Sequence, residues 1–142
     1  MKYELIKNDT KKLPDGTVLY RIVALIDFST IHSTVVRKGD KGGYIEKEDN
    51  LSQSDSDLAW VFGKACVFGE ARVYGNACVF GEARVFGDAW VFGKACVFGK
   101  ARVFGEACVF GEARVFGKAC VFGNACVFGE ARVSEEISEN KW

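Results

Sequence analysis

The chain has 142 residues, enough for one compact unit or a repeat array with a small cap, and its 19 basic and 19 acidic side chains cancel. A pI near 6.6 argues against a general polyanion binder and against an acidic mimic of nucleic acid. No apolar stretch is long enough to cross a bilayer, and Met1-Lys2-Tyr3-Glu4 does not open a signal peptide, so a soluble cytoplasmic protein without a membrane partner is expected.

Residues 1–57 read as a β-rich cap and a bridge. Tyr3-Glu4-Leu5-Ile6 is a short strand and Pro14-Asp15-Gly16 a turn. Residues 17–28, rich in β-branched and aromatic side chains, suggest a strand or a bent hairpin arm. Lys38-Gly39-Asp40-Lys41-Gly42-Gly43 is a second cluster of breakers, followed by Tyr44-Ile45. The loop over residues 31–41 offers His32, Arg37 and Lys38 for contacts, and loops held by a rigid scaffold commonly carry function. Residues 50–57 are polar and bridge into a repeat array.

Residues 58–134 repeat Ala-x-Val-(Phe/Tyr)-Gly-x, from Ala59-Trp60-Val61-Phe62-Gly63 to Ala125-Cys126-Val127-Phe128-Gly129, with glycine every six residues from 63 to 129. A fixed period dictates architecture before local propensity does. Six residues at 3.6 per turn would rotate a helix by about 600°, so valine would form no stripe, and each interior glycine would cost about 1 kcal/mol. Extended backbone fits instead. Ala-x-Val-Phe becomes a short strand, and Gly-x a corner that accepts positive φ. Alternation puts Ala and Val on one side, x and Phe on the other. Position x holds Trp60, Trp90, all six cysteines, and Arg72, Arg84, Arg102, Arg114 and Arg132. Arginines cannot share a narrow dry core without partners, so Ala and Val point inward. Residues 135–142 break the pattern and read as a short polar cap or tail, with Trp142 at its end.

The hexads, an aliphatic residue with a small one four further on, resemble those of the left-handed parallel β-helix family. That resemblance implies three hexads per coil, a left-handed turn and often a trimer. Thirteen hexads over residues 59–133 then give a little over four coils, stacked about 4.8 Å apart. The fold class expected is therefore all-β: a left-handed parallel β-helix with a small N-terminal β cap. Arg21-Ile22-Val23-Ala24, Asp27-Phe28, the 38–45 string Lys-Gly-Asp-Lys-Gly-Gly-Tyr-Ile and Asn50-Leu51-Ser52-Gln53 resemble the head of uncharacterised bacterial and phage hexapeptide-repeat proteins. In those proteins such a head leads into repeats like Val73-Tyr74-Gly75-Asn76-Ala77. The resemblance supplies no reaction.

Three hexads per coil turn every eighteenth residue into a ladder. The aromatic ladders are Phe62/Phe80/Phe98/Phe116, Phe68/Phe86/Phe104/Phe122 and Tyr74/Phe92/Phe110/Phe128. Stacked rings shield one another, at about 0.2–1 kcal/mol per pair. Yet each ring carries about 150–250 Å², and a few hundred Å² of exposed apolar surface marks an interface. Self-association as a dimer or trimer is expected through at least one ladder. The arginines pair as Arg84 over Arg102 and Arg114 over Arg132, and could grip a partner, a phosphate or a base. Corner residues of mixed sign, Lys64, Glu82, Lys100 and Lys118, leave no sustained basic groove, which argues against nucleic acid.

The cysteines stack as Cys78 beside Cys96 and Cys108 beside Cys126, with Cys66 and Cys120 apart. Side-by-side vectors are poor disulfide geometry, and two thiols without a histidine fall short of a zinc site. They read as small semi-apolar surface fillers, with no metal or cofactor expected. Hexapeptide acyltransferases, which the repeat resembles, use a histidine beside a loop leaving the coil. Here no hexad is interrupted, and His32 stands alone in the head. The function expected is a non-catalytic interaction or scaffold protein, phage-encoded by analogy and binding a host protein such as one of a defence system. Two alternatives remain: a small-ligand or nucleotide binder between subunits near the arginines, and an acyltransferase-like enzyme using His32.

Overall fold

The computed structural model describes residues 2–30, 34–54 and 56–137; His32 and Trp142 lie outside them. It is a nearly all-β solenoid of about 5 turns. The repeat builds three parallel ladders, each face carrying one x-Val rung per coil. The first face stacks Cys66–Val67, Arg84–Val85, Arg102–Val103 and Cys120–Val121. On the second are Arg72–Val73, Trp90–Val91, Cys108–Val109 and Cys126–Val127. The third holds Trp60–Val61, Cys78–Val79, Cys96–Val97, Arg114–Val115 and Arg132–Val133.

Every rung is two residues long, shorter than the four expected. After each valine the aromatic residue already begins the corner. Its carbonyl accepts from the alanine N–H three residues on, as in Ala101 N to Phe98 O at 3.4 Å. Glycine fills the first central position of that turn, and at Gly99 there are two reasons. Its φ is +71°, and a Cβ there would sit 2.9 Å from the backbone nitrogen of Gly117 in the next coil. Between corners each coil donates to the next, for example Phe98 N to Val115 O at 2.9 Å and Lys100 N to Gly117 O at 2.8 Å. The inward assignment holds throughout: from Ala59 to Val127 every repeat alanine and valine is buried.

The cap enters the solenoid rather than sitting on it. Strand β1 (Tyr3–Lys12) is longer than expected and pairs antiparallel with β2 (Val18–Ala24) across a turn closed by Leu13 N to Thr17 O. A small hairpin comes next, β3 (Phe28–Ser29) with β4 (Val35–Val36). Strand β5 (Lys41–Ile45) pairs antiparallel with β2 and parallel with Cys66–Val67, so it forms the first rung of the first face. Leu51 bridges to Val73 and starts the second face. At the far end, where a short polar cap or tail was expected, Glu136–Ile137 adds one more rung beside Cys120–Val121. These additions account for the turns beyond the thirteen hexads. Gly42 and Gly43, read from sequence as breakers, lie inside β5. A Cβ at either would come within 2.6 Å of a carbonyl of the first coil, Val61 O or Ala65 O.

The open end of the solenoid is closed by four polar side chains. Asn50 is buried; its Oδ1 accepts from Glu46 N and Lys47 N, and its Nδ2 donates to Gly69 O and Ala71 O. Lys2, also buried, donates from Nζ to Asp57 O and Ala59 O at 3.0 and 2.7 Å. Gln53 pairs with the backbone of Tyr3 in both directions, and the Tyr3 hydroxyl donates to Leu51 O at 2.6 Å. Burial, followed by the charges of Glu48 and Asp49, pushes that phenol well above its usual range. A terminal coil leaves unpaired backbone groups, and these side chains take the place of the missing rung.

Candidate interaction surfaces

Outward from each valine ladder run two columns: the x residues, and beside them the aromatics. The aromatic columns stack as the period predicts. On the first face, Phe68, Phe86, Phe104 and Phe122 succeed one another at 5.0, 5.0 and 5.3 Å between ring centres, with planes within 8° of parallel. On the second, Tyr74, Phe92, Phe110 and Phe128 are spaced at 4.9, 5.0 and 5.5 Å. On the third, Phe80, Phe98 and Phe116 stack at 4.8 and 5.5 Å, whereas Phe62 meets Phe80 edge-on at 86°. All twelve rings are half-buried. Stacking hides part of each ring and leaves the rest exposed.

The cap covers two faces unequally, and this changes the reading of the x column. Over the first face the β1–β2 turn brings Leu13 and Leu19 onto Cys66, with Tyr44 and Phe68 alongside. Burial pushes the Cys66 thiol up, opposed by the charges of Lys11 and Arg84; Lys11 Nζ lies 3.8 Å from its sulfur. Over the third face the β3–β4 hairpin covers Trp60, which packs edge-on against Phe28 at 5.3 Å and Tyr3 at 6.2 Å. Below it, between the hairpin and the face, runs a groove of about 450 Å³ lined by Thr30, Thr34, Cys78, Cys96, Phe80 and Arg114 among others. Cys66, Cys78, Cys96 and Trp60 are thus buried, not surface residues as their outward position implied, because cap elements distant in sequence fold over them.

Among the described residues, none covers the second face in this way. Trp90 is 45% exposed and lies edge-on to Tyr74 at 6.1 Å, directly beside Arg72 in the ladder. Burial raises the Tyr74 phenol, and burial with the neighbouring Cys126 raises the Cys108 thiol. The nearest cap residues, Glu48, Asp49, Ser52 and Gln53, rim a depression of about 550 Å³ that opens onto Arg72 and Trp90. At the corner before this face, Lys47 holds Glu70 at 2.9 Å, and that hydrogen bond lowers the carboxyl's pKa.

The structure brings Arg84 and Arg102 together as ladder neighbours on the first face. There Lys11, Lys64 and Lys100 join them around Glu82, in a notch of about 300 Å³. The cap contributes Lys11, so the corner sequence alone understated this positive patch. Arg114 and Arg132 are likewise neighbours, with Arg114 in the groove under the hairpin and Arg132 exposed near the last coil. Arg37 and Lys38 lie on an exposed turn after β4, where Arg37 N donates to Asp40 Oδ2 and Lys38 N to Asp27 Oδ1. They stand apart from the repeat arginines. No helix among the described residues is long and apolar enough to cross a membrane. Neither a scan against protein-family models nor a search of the curated proteins finds a match to this chain.

Proposed function

We propose that the chain is a non-catalytic interaction protein that pairs with a second copy of itself through its second face and offers its other surfaces to a partner protein. The observation that carries this reading is the open second face, with Trp90 45% exposed beside the column Tyr74, Phe92, Phe110 and Phe128. A two-fold axis parallel to the solenoid would set the x column of one copy against the aromatic column of the other at equal heights. Arg72 would then lie on Tyr74, Trp90 on Phe92 and Cys108 on Phe110, while corner Asp88 would meet Lys94. One like-charged contact, Glu106 on Glu112, sits at the exposed rim, where such contacts cost little. The cap hairpins stand in the way of the same arrangement on the first and third faces.

The resemblance of the head and hexads to phage and bacterial hexapeptide-repeat proteins supports a left-handed coil in a cytoplasmic, phage-encoded protein. By the same analogy the partner is a host protein, a defence component among the candidates. Light scattering on the purified chain is expected to give a discrete dimer. Phe110→Ser should convert it to monomer, whereas Phe104→Ser and Phe98→Ser, on the other two faces, should not. A monomer indifferent to all three changes means that the rings only stack between coils, and the pairing reading fails.

A second reading, a small anionic ligand, is favoured by the notch of Lys11, Lys64, Arg84, Lys100 and Arg102. An Arg84→Ala/Arg102→Ala double variant tested by calorimetry with inorganic pyrophosphate decides it. Binding in the parent chain and none in the variant supports a ligand site; no heat in either removes it.

A further inference from the structure

We propose that Cys78 and Cys96, under the β3–β4 hairpin, bind one copper(I) ion in linear two-coordinate geometry. The two residues are register partners on adjacent parallel rungs. Side chains that run parallel in such a ladder keep the strand spacing of about 4.8 Å. A disulfide instead needs Cβ atoms within about 3.5–4.5 Å and vectors converging on a bond of about 2.05 Å. With sulfur–metal bonds of about 2.3 Å, the length in zinc thiolates, a linear S–M–S unit spans about 4.6 Å. Parallel side chains at the ladder spacing would set the two sulfurs close to that span.

Ligand number and softness then choose the ion. Zinc asks for four ligands, and among the described residues no three His, Cys, Asp or Glu side chains gather in a metal-binding group. Thiolates select copper(I) among the available soft ions. Binding converts two S–H groups and one Cu⁺ into a bis-thiolate complex of net charge −1, releasing two protons. Arg114, the next rung beyond Cys96, lines the same groove and offsets that charge.

The surroundings favour this pair over the other. Cys78 and Cys96 are 3% and 4% exposed, so a bound ion would be shielded from competing ligands. Cys108 and Cys126 are also register partners, but their ladder neighbour is Trp90 and not an arginine.

The test is an anaerobic titration of the reduced full chain with copper(I) against a chromophoric copper(I) chelator, monitored at the ultraviolet sulfur-to-copper charge-transfer band. One equivalent should be withheld from the chelator. Cys78→Ser and Cys96→Ser should each abolish it, and Cys66→Ser and a Cys108→Ser/Cys126→Ser double variant should keep it. Because a serine under the hairpin could disturb the fold, Arg114→Gln supplies a second arm. Its affinity should fall by about 10–100-fold, as when an outer-shell partner of a metal is lost, with an unchanged melting curve. The proposal is overturned if the parent chain withholds no copper(I), if folded Cys96→Ser withholds as much as the parent, or if the equivalent disappears only with Cys108 and Cys126.

Discussion

Asn50→Leu is expected to destabilise the fold by about 3–5 kcal/mol, starting from the N-terminal end. The buried side chain bonds four backbone groups at once, two N–H of the 46–47 segment and two carbonyls of the first coil, at 2.8–3.1 Å; of these, Glu46 N also donates to Val67 O at 3.2 Å. Leucine keeps the branched shape and the number of side-chain heavy atoms, but supplies neither donor nor acceptor. Each buried group left without a partner costs about 1–3 kcal/mol, and water can reach only some of them. The loss should be local before it is global, since solenoid coils depend mainly on their neighbours. Hydrogen exchange would show it best. The amides of Glu46 and Lys47 and of the first coil should lose protection first, while those of the Arg114–Val115 rung keep theirs until global unfolding. A variant that melts within a degree or two of the parent, with unchanged exchange at Glu46 and Lys47, would show that Asn50 is not the plug.

What the sequence revealed and what it hid divide along one physical line. The period of six encodes contacts between equivalent positions one coil apart. Glycine corners, buried Ala and Val, the ring stacks and the pairs Cys78/Cys96 and Arg84/Arg102 were all legible, because each comes from adding eighteen to a residue number. Contacts between the cap and the coils obey no period. Lys2 reads as an ordinary charged terminus, yet its ammonium is buried against carbonyls 55 and 57 residues away. Gly42-Gly43 reads as a turn, but it is a strand without side chains because the first coil's carbonyls leave no room for a Cβ. Position x reads as outward, which is right, and as exposed, which fails wherever a hairpin lies above it. A signal was present in part. Phe28 and the two threonines of the 30–34 segment are apolar or small, as suits a lid on Trp60 and Cys78, but nothing in their spacing said which face they would cover.

Trp90→Ala is expected to weaken self-association by about 30-fold or more, and to leave the isolated chain nearly as stable as before. A tryptophan at the centre of an interface commonly carries about 2 kcal/mol or more of binding, and a half-exposed one contributes far less to its own fold. Trp60 makes the internal contrast. It occupies the same repeat position, is 1% exposed and packs on Phe28 and Tyr3, so Trp60→Ala should cost about 3–5 kcal/mol of stability as a large-to-small core change. On the proposed pairing, two tryptophans in equivalent hexads would take opposite roles according to what the cap covers. Sedimentation across a concentration series, paired with thermal melts, separates the two effects. A Trp90→Ala protein that associates like the parent removes the second face from the assembly. If it melts as far below the parent as Trp60→Ala does, Trp90 belongs to the fold, and the exposed aromatic surface must be explained by a partner other than a second copy.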